Sequence, residues 1–186
     1  MYTIAQKKMA KTAPKKGGGK PAPVARIARP RKEKAVNSKP EAISSWSGGG
    51  KAITLEGKFD DITERLPVIV RTAMKGVKTE VFYKFAALAD MPDKFLADLL
   101  HISTRTLSNY KDQKKTLEPV KGEHLLKLIA LFKKGEAVFG RLEEFRGWLL
   151  KPFSGKKEKP VEWLVTPGGV DLISLELDRI AHGYAL

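Results

Sequence analysis

The chain has 186 residues and carries 35 Lys+Arg against 21 Asp+Glu, a formal net charge of +14. It has no cysteine, which excludes disulfides and thiolate metal or redox sites, and no apolar run approaches the ~20 residues that span a bilayer. The expectation is a soluble, cytoplasmic protein with one compact domain, or two small helical ones, plus a tail.

Residues 1–50 hold 12 basic and two acidic residues, so most of the charge excess sits there and a nearly neutral globule follows. The stretch is built from Lys, Ala, Pro, Gly and Ser with little apolar periodicity. Such a segment cannot bury enough apolar surface to offset the entropy of ordering it. Residues 1–55 are therefore predicted to be a disordered basic arm. Two roles fit its charge: a solubilising extension, or a nonspecific contact to DNA or RNA. The two "GGGK" stretches, 17–20 and 48–51, are not phosphate loops, because neither lysine is followed by Ser or Thr and no strand leads into them.

From Phe59 the apolar spacing turns helical. In "FDDITERLPVIVRTAMKGV", Asp60 and Asp61 mark a helix start, and Pro67 marks either a second start or a kink. "KTEVFYKFAALAD" offers Thr79 as an N-cap, with Val81, Phe82, Phe85, Ala86 and Leu88 on one face. "MPDKFLADLLH" follows, then "TRTLSNYKDQ", then "GEHLLKLIALFKKGEAVFG" with Leu125, Leu128, Ile129 and Phe132 in register, and "RLEEFRGWLLKP". No alternating β-branched run with a hairpin turn is present. The predicted fold class is all-α.

The stretch "DKFLADLLHISTRTLSNYKD" has the spacing of a helix-turn-helix, which sets residues 56–120 apart as a DNA-binding domain. Ala97, Ile102, Leu107 and Tyr110 occupy the positions that must be small or buried, and Ser103 stands where an N-cap belongs. His101 takes the turn position that often needs positive φ, which His tolerates better than a β-branched residue. The outward residues at the start of the second helix are then Thr104, Arg105, Ser108 and Asn109, with Arg suited to guanine and Asn to adenine. Lys111, Lys114 and Lys115 lie beyond them and suit phosphates. An ordinary helical hairpin with a polar face is the alternative reading of the same spacing.

After Pro152, Pro160 begins a short helix with Trp163; Pro167, Gly168 and Gly169 are predicted to break it, and a last helix runs from about Val170. On a wheel, Val170, Ile173, Leu177, Ile180 and Tyr184 share the core face, while Leu175 falls opposite among Asp171, Asp178, Arg179 and His182, with Leu172 at the edge. His101, His124 and His182 are isolated and share no ligand spacing, so no metal site is predicted. Glu143 and Glu144 beside Arg141 and Arg146 read as a solvated helix face. No nucleophile elbow or cofactor loop is present, so neither an enzyme nor a cofactor is expected.

The order "ISTRTL", "EHLLKLIALFKKGEAVFG", "FRGWLLKPF", "KPVEWLVTPGGVDLISLELDRIAHGY" resembles the Xre/MbcA/ParS-like antitoxins of RES-Xre toxin-antitoxin systems, over about Leu66 to Leu186. The resemblance implies a helical DNA-binding region and, at residues 121–186, a toxin-binding domain. It further implies a homodimer that represses its own operon by binding operator DNA, and whose C-terminal end covers the active site of a RES-domain toxin that consumes NAD⁺. Carried over by position, the toxin-side candidates are Trp163, Leu172, Leu175, Arg179, Gly183, Tyr184 and Leu186. Trp163 has an equal claim to be core. Tyr184 cannot easily both continue the buried stripe and enter a toxin cleft. Two other classes of function remain: a stand-alone helix-turn-helix regulator whose C-terminal domain only dimerises, and a nucleoid-associated protein working through its arm.

Overall fold

The computed structural model describes Trp46 and residues 54–153, 155 and 157–183, all within one compact unit spanning residues 38–186. The fold is all-α with a helix-turn-helix, apart from one two-stranded pairing of two residues each. Tyr184 and Leu186 lie outside the described residues, as does the arm other than Trp46, Thr54 and Leu55.

A single turn, α1 (Asp60–Thr63), precedes α2 (Leu66–Lys75). Pro67 opens α2 instead of kinking it, because the first turn of a helix needs no amide from that position and a fixed φ suits it. Gly76 ends α2 at φ 92, and a Cβ there would stand 2.6 Å from Thr116 Oγ1. Only glycine lets the chain turn so closely into β1 (Val77–Lys78). Next come α3 (Thr79–Leu88), α4 (Asp93–Leu99) and α5 (Thr104–Asp112), after which β2 (Thr116–Leu117) pairs antiparallel with β1, Val77 opposite Leu117. Thr79 does not cap α3 as the sequence predicts. It is the first helical residue, and its hydroxyl donates to Lys115 O at 3.1 Å, binding the start of α3 to the end of the motif.

Helices α3, α4 and α5 end by one device. The amides of Met91, Ile102 and Lys115 reach back five residues to Ala86, Ala97 and Tyr110 O at 2.8, 2.9 and 2.8 Å. The residues before them, Asp90, His101 and Lys114, sit at φ 48, 52 and 52. This is the Schellman ending, with side chains where glycine is usual. A left-handed conformation costs a residue with a Cβ roughly 1–2 kcal/mol, so neighbours must hold it. For Asp90 they do: the Arg146 guanidinium donates to its carboxylate at 2.9 Å and its carbonyl at 3.3 Å, and the Trp46 indole donates to the same carbonyl at 2.8 Å.

These contacts correct two expectations. Arg146 does not belong to a solvated face; it is buried under α7 (Leu142–Leu150) and bound to the α3–α4 turn. Trp46, inside the stretch read as arm, is 2% exposed and packs on Phe95 and Phe132 with ring centroids 5.2 and 6.0 Å away. Leu55 is also buried, and its amide donates to Glu136 at 2.7 Å.

The spine is α6 (Pro119–Phe139), 21 residues and so about 30 Å long. Phe132 at its middle meets Phe85 and Phe145 edge-on, at 5.4 and 5.2 Å. Gly135 admits α7, since a Cβ there would lie 2.4 Å from the Phe145 ring. α2 runs antiparallel to α6: Gly122 faces Ala73 and Val77 at one end, and Lys133 pairs with Asp60 at the other. After α8 (Pro160–Trp163), α9 (Pro167–Ala181) runs parallel along another side of α6, with Lys127 bound to Asp171 and, seven residues on, Lys134 to Asp178. Position 120/121, the expected domain border, falls in the first turn of α6, which packs against α2 before it and α9 after it.

The last helix begins three residues earlier than its glycines predict. Thr166 accepts from the Gly169 amide at 3.0 Å, and Pro167 supplies a preset first turn. Gly169 is no breaker; a Cβ there would lie 1.9 Å from Trp163 O, so the glycine is what lets α9 start against α8.

Candidate nucleic-acid interface and partner face

α4 and α5 form the two arms of the motif. Ala97 and Leu107 are fully buried between them, Ile102 anchors the turn, and Tyr110 is half-buried. Ser103 caps α5 as predicted, its Oγ accepting from Thr106 N at 3.0 Å and lying 2.7 Å from Thr106 Oγ1. That cap fixes the first turn, and with Leu107 inward it turns Thr104, Arg105, Ser108 and Asn109 to solvent; all four are exposed. Arg105 makes no ion pair among the described residues, so its guanidinium is available to an outside acceptor. The three lysines differ. Lys114 and Lys115 extend from the end of α5 into water, whereas Lys111 Nζ stands 4.7 Å from the centroid of the Tyr83 ring. A cation held over an aromatic face has part of its attraction already used.

His101 adopts the positive φ that its turn position calls for, and what stabilises it was not legible in the sequence. Lys121 on α6 donates to Leu100 O at 3.3 Å and His101 O at 3.0 Å, closing the end of α4. The His101 ring then lies 3.0 Å, through Nε2, from Val165 O, and His124 Nε2 lies 2.9 Å from Leu164 O. Two histidines from the motif and the spine thus hold the turn between α8 and α9. Among the described residues no group of three His, Cys, Asp or Glu could hold a metal.

Burial lowers the His124 pKa below its usual range, and the positive charges of His101, Lys127 and Lys121 act the same way against the opposing hydrogen bond to Leu164. The unfolded chain therefore takes up that proton first as pH falls below about 6.5. The His124 contribution to stability is full above that pH and is lost on descending toward the lower folded value. Melting temperatures measured between pH 8 and pH 5 are expected to fall more steeply for the native chain than for His124→Gln, which carries no titrating ring. Parallel curves would remove His124 as the cause.

On α9, Val170, Ile173 and Leu177 are buried, and Asp171, Ser174 and Asp178 line the side toward α6. Lys134 donates to Ser174 O and Oγ at 2.9 Å, so the rotation of α9 about its axis is fixed by three polar contacts. The remaining side carries Leu172 and Leu175, 52% and 60% exposed, with Arg179, which pairs with Glu176 at 3.5 Å. Gly183 follows the end of α9 at φ 78. Trp163 is half-buried against Phe153, ring centroids 5.5 Å apart, and so is partly core and partly exposed.

Residues 68–130 match the family model of the antitoxin Xre-like helix-turn-helix domain. The match runs from α2 to the middle of α6, about a third of the chain, and includes the whole motif and its strand pair. It supports a DNA-binding antitoxin or regulator. No curated protein matches the chain. The Xre-like region ends before α7, α8 and α9, so the leucine-bearing face of α9 lies outside it. No helix among the described residues is long and apolar enough to cross a membrane.

Proposed function

We propose that the chain is a type II antitoxin. Its α5 helix reads operator DNA through Thr104, Arg105, Ser108 and Asn109, with Lys111, Lys114 and Lys115 on phosphates. Its α9 helix, through Leu172, Leu175, Arg179, Gly183 and the terminal Tyr184 and Leu186, covers the active site of a RES-domain toxin, with Trp163 at the border of that contact. The protein works as a homodimer in the cytoplasm, by occlusion and repression rather than catalysis. In this division of labour residues 56–120 bind DNA and 121–186 bind toxin.

The observation that carries the reading is the coexistence of an antitoxin Xre-like motif with two exposed leucines on a helix that is locked in rotation. Exposed leucines on a free helix would be unremarkable, but a rigid helix presenting them loses little entropy on docking. The test is whether the adjacent reading frame encodes a RES-like protein that is toxic alone; on co-expression, growth is expected to be rescued by the full chain and lost on deleting residues 183–186, with operator binding retained. Failure of the full chain to rescue would leave a stand-alone regulator as the better reading.

A further inference from the structure

The two-stranded ribbon carries charge that the fold does not pair. Val77 and Leu117 are buried on its inner face, while Lys78, opposite Thr116, is turned to water. Lys75 lies just ahead of β1, and Lys114 and Lys115 just ahead of β2. Gly76 brings the first segment against Thr116, and the Thr79 hydroxyl binds it to Lys115 O. All four lysines are exposed. None makes an ion pair among the described residues, although Glu80, Asp112 and Glu118 are exposed within a few residues of them. We propose that the ribbon is a second contact with duplex DNA, in which Lys75 and Lys78 join Lys114 and Lys115 on the phosphates that bound the groove entered by α5. The proposal deepens the DNA-binding reading and rests on it.

Lys78 is the telling position. It is the N-cap of α3 at φ −67 and ψ 145, nearly the conformation of Ser103, φ −71 and ψ 145, at the start of α5. Ser103 accepts from an amide of its helix. Lys78 has no acceptor to offer, makes no such bond, and sets its charge against the positive end of the helix dipole. Serine would serve the fold better there. Lysine on a strand edge can guard against pairing with another chain, but a strand of two residues offers little to template. Lys75 closes α2, where a cation suits the dipole, so it has a local reason as well. The stability forgone at Lys78 points to a partner outside the chain.

Position selects duplex DNA as that partner. Lys75, Lys78, Lys114 and Lys115 all fall within residues 68–130, the Xre-like helix-turn-helix match, and β2 closely follows the end of α5. From Arg105 to Asp112, α5 extends about 10 Å, and the major groove is about 12 Å wide. With Arg105 on base edges, the far end of α5 therefore stands at the groove wall, and the ribbon beyond it meets the phosphates there. The end of α5 supplies Lys114 and Lys115; strand pairing adds Lys75 and Lys78 from ahead of α3.

Variants of the full-length protein test this, with binding to a mixed-sequence duplex measured over a salt series. Lys78→Ser is expected to melt higher, by roughly 2–4 °C, yet to flatten the slope of log affinity on log salt by about 0.9, the share of one phosphate contact. Adding Lys75→Ala should flatten it by about as much again, and Lys78→Arg should keep the native slope. The arm is present in every variant, so its contribution cancels in the differences. A merely solvated lysine would give the higher melting temperature with an unaltered slope, and that result overturns the inference. If Lys115→Ala still flattens the slope, α5 remains on DNA. A slope flattened on single-stranded RNA of the same sequence but not on the duplex overturns the inference too. Failure of the native chain to bind any duplex is a different result, which would remove the DNA reading itself.

Discussion

Leu172→Glu combined with Leu175→Glu is expected to abolish neutralisation of the toxin while leaving the fold and operator binding intact. Both side chains are more than half exposed, and neither is among the residues that fix α9. Substitution should therefore change stability by no more than about 0.5 kcal/mol, the usual range for surface positions. At an interface the same change is severe, because it places two carboxylates where apolar groups must lose water. Central contact residues cost roughly 2 kcal/mol or more when truncated, about 30-fold in affinity, and a buried unpaired charge adds to that. Calorimetric titration of the purified partner with native and doubly substituted chains measures the difference. An affinity unchanged within a factor of two would take the α9 face out of the mechanism. Asp178→Ala is the informative companion: it removes a strut from Lys134 and should weaken binding less, by loosening the helix instead of changing its surface.

The second large effect belongs to Arg105. Arg105→Ala should cost about 1–3 kcal/mol of operator affinity, roughly 5- to 150-fold, and relax specificity at one base pair. The exposed position ahead of Leu107 and the lack of an ion pair among the described residues mean that little else changes with it. Lys115→Ala should behave differently, weakening operator and unrelated DNA alike and lowering the salt slope by about one. Lys111→Ala should lower it by less, since Lys111 already rests over Tyr83. A gel-shift series over salt concentration separates the three. Equal losses for Arg105→Ala on operator and random duplex would demote Arg105 to a phosphate contact.

Where the candidate site was legible in the sequence, the information was local. The cap at Ser103, the left-handed His101, the inward Leu107 and the outward set from Thr104 to Asn109 all follow from spacing within one helical turn or two. The outward Leu172 and Leu175 follow from the wheel alone. Contacts that join distant segments were not legible. Trp46 reaches Asp90 across 44 residues, Arg146 reaches it across 56, and His101 reaches Val165 across 64, and no periodicity links such pairs. Arg146 illustrates the physical reason. Its neighbours Glu144 and Arg141 pair with each other on the surface, as their spacing predicts, yet Arg146, two residues past Glu144 and so about half a turn round the helix, lies inside, where a strained turn supplies its acceptors. The early start of α9 was missed for a similar reason, since two glycines read as a break until Trp163 O is seen to occupy the space a Cβ would need.

Trp46 determines where the chain can be cut. A truncation placed by composition, after residue 55, would remove an indole that fills the space between Phe95 and Phe132 and satisfies the Asp90 carbonyl. Such a fragment would lose DNA affinity through a hollowed interior and a slackened α3–α4 turn, and the loss would be mistaken for the missing positive charge. A cut ahead of residue 46 removes all of that charge except Lys51 and keeps Trp46, so the two fragments together separate what the arm attracts from what its last aromatic residue holds in place.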